Sequence, residues 1–201
     1  MIDKRLRDDI AFIRAAIEDG RGYATRSGPG MVIWGIALSC GFVASYAFVR
    51  GWSPLAPSAL WPIAIAVPWG YALHRFWRRS FDAGPPSAPG PMVVALRMLW
   101  VGLGIFLTTL TLAVLWSGTH PADWLAAVAA GAMGAAVFAT AWLAATPWLR
   151  WIAAAWWLGE LALFALRDRP EMLLVAAALM LVLLAGPGIA LSIRRRKLAA
   201  A

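Results

Sequence analysis

A chain of 201 residues with 62% apolar content, 14% charged residues and a mean hydropathy of +0.71 is not an ordinary soluble domain, whose apolar share is roughly half and charged share about a quarter. A net charge of +8 would suit a nucleic-acid binder if the basic residues shared one polar surface. Here long apolar runs separate them, so nucleic acid is set aside and anionic lipid headgroups are the expected counter-charge.

The chain opens with polar sequence of mixed charge sign at residues 1–29, unlike the basic stretch and apolar run of a secretory signal. The first apolar segment is therefore expected to stay in the mature protein. Leu6, Ile10, Ile13 and Ile17 fall at helical spacing and form a narrow apolar stripe, predicting an amphipathic helix over residues 3–19. Opposite charges stand four residues apart in Asp3–Arg7, Lys4–Asp8, Arg5–Asp9 and Arg14–Glu18, which supports that helix. Asp19-Gly20 reads as its stop, and Ser27-Gly28-Pro29-Gly30 as a break before the first span. Such a helix would lie on the membrane, dock under the bundle or recruit a protein partner. It is too short for an independent coiled coil.

Asp9-x-x-x-Ile13-Arg14-x-x-x-Glu18 followed by Tyr23-x-x-x-Ser27-Gly28 just ahead of the first apolar segment resembles the opening of small bacterial multispanning membrane proteins without an assigned activity. The resemblance covers only the amino-terminal part of the chain. It implies a bacterial inner (cytoplasmic) membrane protein and nothing about catalysis.

Apolar segments follow at residues 30–49, 59–76, 92–116, 122–146, 148–166 and 171–192, and a basic tail closes the chain at 194–201. Only helices and closed barrels satisfy the backbone inside hydrocarbon. These segments are too continuously apolar for the alternation of barrel strands. The predicted fold is all-α: a six-helix transmembrane bundle over residues 30–193, preceded by a cytoplasmic amphipathic helix and linker at 1–29. Of the 18 Lys and Arg residues, all but Arg50, Arg167 and Arg169 fall on one side of this alternation. Cytoplasmic connections carry the excess of basic residues, so both termini are expected in the cytoplasm.

Within the first span, Cys40 has no possible intramolecular disulfide partner and reads as a small packing residue. Pro62 and Pro68 in the second span and Gly186-Pro187-Gly188 in the sixth predict bends. Trp52, Trp61, Trp69, Trp77, Trp116, Trp124 and Trp148 fall toward span ends, as in an interfacial aromatic belt. In the fourth span Ala127, Gly131 and Ala135, with Ala130 and Gly134, make rows of small residues that let helices approach closely. That helix is expected at the centre of the bundle or at a contact between subunits.

Chemistry-bearing residues are few. Glu160 is the one acid deep inside an apolar segment, where a charge costs about 2.5–3.5 kcal/mol or more. Helical spacing sets Trp156, Trp157, Leu163 and Phe164 beside it. Two readings stay open: a glutamate joining two helices by a hydrogen bond, with Thr108, Thr109 and Thr111 as candidate partners, or an anchor for a cation, a proton or a hydrogen-bonding ligand. His74 and His120 lie at opposite ends of their spans and cannot share one haem across a core of roughly 30 Å. Ser117-Gly118-Thr119-His120 lacks the companion motifs that a lipid phosphatase needs, and metalloprotease, serine-hydrolase and phosphate-loop signatures are absent. No catalytic residue, metal or cofactor is expected. The function read from the sequence is a non-enzymatic accessory, scaffold or sensor subunit that contacts a protein partner or a second copy. The alternative is a small transporter or channel built around Glu160.

Overall fold

One helix, α1 (Ile2–Val49), runs unbroken for 48 residues, about 72 Å at 1.5 Å per residue. The computed structural model describes residues 2–82, 90–117 and 122–200. The expected stop at Asp19-Gly20 and the break at Ser27-Gly28-Pro29-Gly30 are absent: both stretches are helical. The reason is packing. A Cβ on Gly20 would stand 3.0 Å from the Leu143 carbonyl oxygen, and one on Gly28 would stand 2.6 Å from that of Gly188. These glycines admit a neighbouring backbone rather than end the helix, and close tertiary contact outweighs their weak helix propensity. Pro29 removes one N–H from the ladder, which a helix held on several sides tolerates.

The remaining elements are α2 (Pro57–Asp82), α3 (Pro91–Ser117), α4 (Ala122–Leu143), α5 (Leu149–Ala165), α6 (Glu171–Leu179), a π-helical stretch (Met180–Ala185) and α7 (Gly186–Ala200). No strand occurs among the described residues. Among the described residues, four segments are long and apolar enough to cross a membrane: Arg26–Val49, Pro91–Trp116, Trp124–Leu143 and Glu171–Lys197. The last passes through α6, the π stretch and α7 without a turn. Side chains facing outward along these segments include the apolar Val43, Ile105, Phe138 and Val182, as a lipid-facing surface requires.

The bend expected at Gly186-Pro187-Gly188 takes the form of the π stretch just before it. The Gly186 N–H reaches five residues back to the Leu181 carbonyl. Pro187 has no N–H to return to the turn below it and its ring crowds that turn, so a wider turn relieves the clash locally. Gly35 of α1 sits in this region, where a Cβ would lie 2.7 Å from the Ala185 nitrogen and 2.9 Å from the Met180 carbonyl oxygen.

Helix α1 is the hub: it packs against α2, α3, α6, the π stretch and α7, while α4, expected at the centre of the bundle or at a contact between subunits, packs against α5 and α3. Helix α1 runs antiparallel to α6–α7, with Gly28 on Gly188 and Gly35 on Ala185. Helices α4 and α5 form the most extensive pairing. The core lies where they meet α6 and α1, around fully buried Trp156, Leu163, Met172 and Val137, with Phe42 contributed by α1. Small residues line the α4 side: Ala126, Ala127, Ala130, Gly134 and Ala141 are buried. Ala135 is exposed in the single chain. Steps of four residues advance the angle by about 40° each, so a row starting at Ala127 rotates out of the interface by its third member. Cys40 is exposed on α1, not a packing residue.

Two turns close with the same pair of hydrogen bonds. After α1 the Gly51 N–H donates to the Phe48 carbonyl and Trp52 to that of Ala47; after α4 the Ala145 N–H donates to Trp142 and Thr146 to Ala141. Both are Schellman caps, which need a left-handed residue at the turn. Gly51 supplies it with φ 73°, whereas Ala145 adopts φ 47° despite its side chain.

Candidate functional site

Glu160 lies on α5 about 16 Å from the helix start at Leu149. The sequence places it one turn beyond Trp156 and three residues beyond Trp157, so all three share one flank of the helix. Across the interface, α4 presents Gly131 and Gly134. A Cβ on Gly131 would stand 2.6 Å from one carboxylate oxygen of Glu160, and one on Gly134 would stand 2.6 Å from the Trp157 indole nitrogen. The two glycines thus form shallow seats for a carboxylate and an indole. The small-residue rows are legible in sequence; what they seat is visible only in the fold.

The half-buried Glu160 carboxylate has no hydrogen bond or ion pair among the described residues. The threonines of α3 do not serve it. Thr108 accepts from the Trp69 indole N–H at 3.0 Å, Thr109 donates to the Ile105 and Phe106 carbonyls, and Thr111 donates to the Leu107 carbonyl. Trp156, fully buried one turn away, leaves its indole N–H without an acceptor among the described residues. This flank of α5 therefore carries both an unpaired acceptor and an unpaired donor, an arrangement that is costly in hydrocarbon.

Trp157 and Phe164 stand three and four residues from Glu160 along α5, at 38% and 43% exposure, and the Phe138 ring of α4 lies 5.6 Å from that of Trp157. Phe138 in turn meets Trp142, whose ring face carries the Arg150 guanidinium at 3.8 Å. Leu161, beside Glu160, is 65% exposed, so the site opens sideways onto the outer surface of the bundle.

Polar tethers between helices went unread in the sequence. The Trp61 indole donates to Ser45 Oγ at 3.2 Å and the Trp100 indole to Thr140 Oγ at 3.0 Å. Ser45 and Thr140 each spend their own hydroxyl proton on the carbonyl four residues back, leaving oxygen lone pairs free to accept. A mid-span Ser or Thr within an apolar run is the available signal. Trp61 and Trp69 thus join helices, and Trp69 stands in the middle of α2 rather than toward its end.

The amino-terminal stripe leaves Leu6 and Ile10 exposed at 57% and 45%. The side chains of Ile13 and Ile17 lie outside the described residues, as does the Ser117-Gly118-Thr119-His120 motif beyond the Ser117 backbone. His74 is exposed, and no group of three His, Cys, Asp or Glu residues that could hold a metal ion occurs among the described residues. Comparison with protein-family models, with curated proteins and with solved structures finds no match to the chain, so its functional reading rests on these contacts alone.

Proposed function

We propose that this chain is a non-catalytic multispanning protein of the bacterial inner membrane, an accessory, scaffold or sensor subunit that presents the start of α1 to a protein partner or to a second copy. The observation that carries the reading is the continuity of α1. The exposed Leu6 and Ile10 stand on the same rigid rod that packs at the centre of the bundle, so whatever binds the projecting end is mechanically joined to the spans.

In this reading six segments cross the bilayer: the second half of α1, then α2, α3, α4, α5 and the α6–α7 rod. Both termini are cytoplasmic. Contacts gather the basic positions at one end of the bundle. Arg75 donates to the Arg26 carbonyl at 2.9 Å, Gly20 meets Leu143 and Met92, and Gly28 meets Ser192 just before Arg194–Lys197. That end faces the cytoplasmic leaflet, where anionic headgroups neutralise the arginines.

The test is purification in mild detergent of the full chain and of a Leu6→Glu, Ile10→Glu variant. The full chain should carry a stoichiometric partner or form a defined homo-oligomer, and the variant should lose it. A bare monomer in both samples refutes the reading, and a reporter fused after residue 201 that faces the outside refutes the topology.

A second reading, a small transporter or channel, is favoured by one observation: Glu160 is unpaired within an apolar helix. It requires that Glu160→Gln change cation or proton flux in reconstituted vesicles while the protein still folds.

A further inference from the structure

We propose that the α4–α5 face holding Glu160 binds a lipid-soluble organic cation that enters from the bilayer. The inference deepens the second reading by naming a ligand class, yet it is tested by binding, so a protein that binds the cation and moves nothing would refute the transporter and leave the site standing.

The first premise is that the Glu160 carboxylate has no partner among the described residues: ionised, it lacks a cation or an N–H donor there. A bound cation meets that requirement directly.

The second premise concerns the kind of cation. Metal ions of the Na⁺, Mg²⁺ or Ca²⁺ type need several oxygen ligands, whereas Glu160 faces Gly131 and no group of three His, Cys, Asp or Glu residues that could hold a metal ion occurs among the described residues. An organic cation needs only one counter-charge and gains from apolar and aromatic walls, since ring faces attract cations once water is excluded. Trp157, with Phe138 at 5.6 Å behind it, and Phe164 provide those walls.

The third premise is access. Glu160 is half-buried while Trp157, Leu161 and Phe164 beside it are exposed. The opening therefore faces the outer surface of an apolar bundle, and a ligand concentrated in the lipid meets it without crossing water. Gly131 matters because its missing side chain lets the carboxylate approach the α4 backbone, where a Cβ would stand 2.6 Å from one of its oxygens.

The experiment is equilibrium dialysis of the full chain in detergent against radiolabelled tetraphenylphosphonium, with tetraphenylsilane as a neutral competitor of the same shape. Saturable binding is expected. Glu160→Gln should weaken it about tenfold, the loss of one charge pair in a partly dehydrated site. Trp157→Leu should weaken it by a smaller factor, and tetraphenylsilane should fail to displace the cation. Absence of saturable binding, equal affinity in Glu160→Gln, or displacement by the neutral compound overturns the proposal. If Glu160→Gln does not fold, the comparison of charged and neutral ligands on the unmodified protein decides alone.

Discussion

Replacing Gly188 by alanine puts a number on the crossing of α1 and α7. The added Cβ would lie 2.7 Å from the Gly28 carbonyl oxygen and 2.9 Å from both the Met31 Cβ and the Val32 nitrogen. All three atoms are part of the α1 backbone or attached to it, so no side chain can swing aside. The helices must part by about 0.7 Å to restore ordinary contact distances, a shift that forfeits a quarter to a half of each contact's attraction. Over roughly 30 atom pairs of about 0.15 kcal/mol, the loss is about 1–2 kcal/mol. Residual overpacking adds about 1 kcal/mol, while alanine returns about 1 kcal/mol of helix propensity. The net expectation is a destabilisation of about 1–2 kcal/mol. Gly102→Ala is the control: nothing lies within 4 Å of its would-be Cβ, so it should gain up to about 1 kcal/mol. Unfolding in mixed micelles by titration with a denaturing detergent, followed by tryptophan fluorescence, measures both. The sign is the test. A Gly188→Ala protein as stable as the Gly102→Ala control would refute the close seating of α7 on α1. Because Gly28→Ala strains the same contact, the double variant should cost less than the two single costs added together.

Three further changes follow from single positions. Ala145→Gly should raise stability by about 0.5–1 kcal/mol, because glycine accepts the left-handed cap that alanine holds at φ 47°; the same unfolding titration reads it. Thr140→Ala removes the acceptor of the Trp100 indole and should cost about 1 kcal/mol, with Thr140→Ser restoring most of it and shifting the Trp100 emission back. Trp156→Phe deletes a buried N–H that has no partner and should cost much less than Trp156→Ala, for which a core cavity implies about 3–5 kcal/mol; equal losses would mean that the indole N–H is satisfied after all.

The helical class and the approximate ends of α3 and α4 were legible in the sequence because a bilayer imposes them through bulk properties, continuous apolarity and length, that need no partner to be recognised. Glu160 stood out for the same reason, as a lone charge in an apolar run. What the sequence misjudged depends on tertiary neighbours. Gly28 and Pro29 carry local signals of a chain break, yet their conformation is decided by Gly188, which lies far away along the chain. Thr108 offered itself as a partner for Glu160 by residue type, but in the fold its hydroxyl meets the Trp69 indole of α2. The rows of small residues on α4 were visible, and the angular drift of the helix explains why Ala135 left the interface that Ala127 and Gly134 share. The pairing of Gly131 with a carboxylate needed the antiparallel register of α4 and α5, which no local pattern encodes.

The π stretch at Met180–Ala185 also fixes an orientation. One residue beyond α-helical pitch turns everything downstream by about 100° around the rod. Excising Val182 alone would let the ladder close as ordinary helix, yet it would swing Ser192 away from Gly28 and point the terminal arginines toward a different quadrant of the bundle. The angular address of the basic tail is thus written ten residues upstream of it, in the phase of a single widened turn.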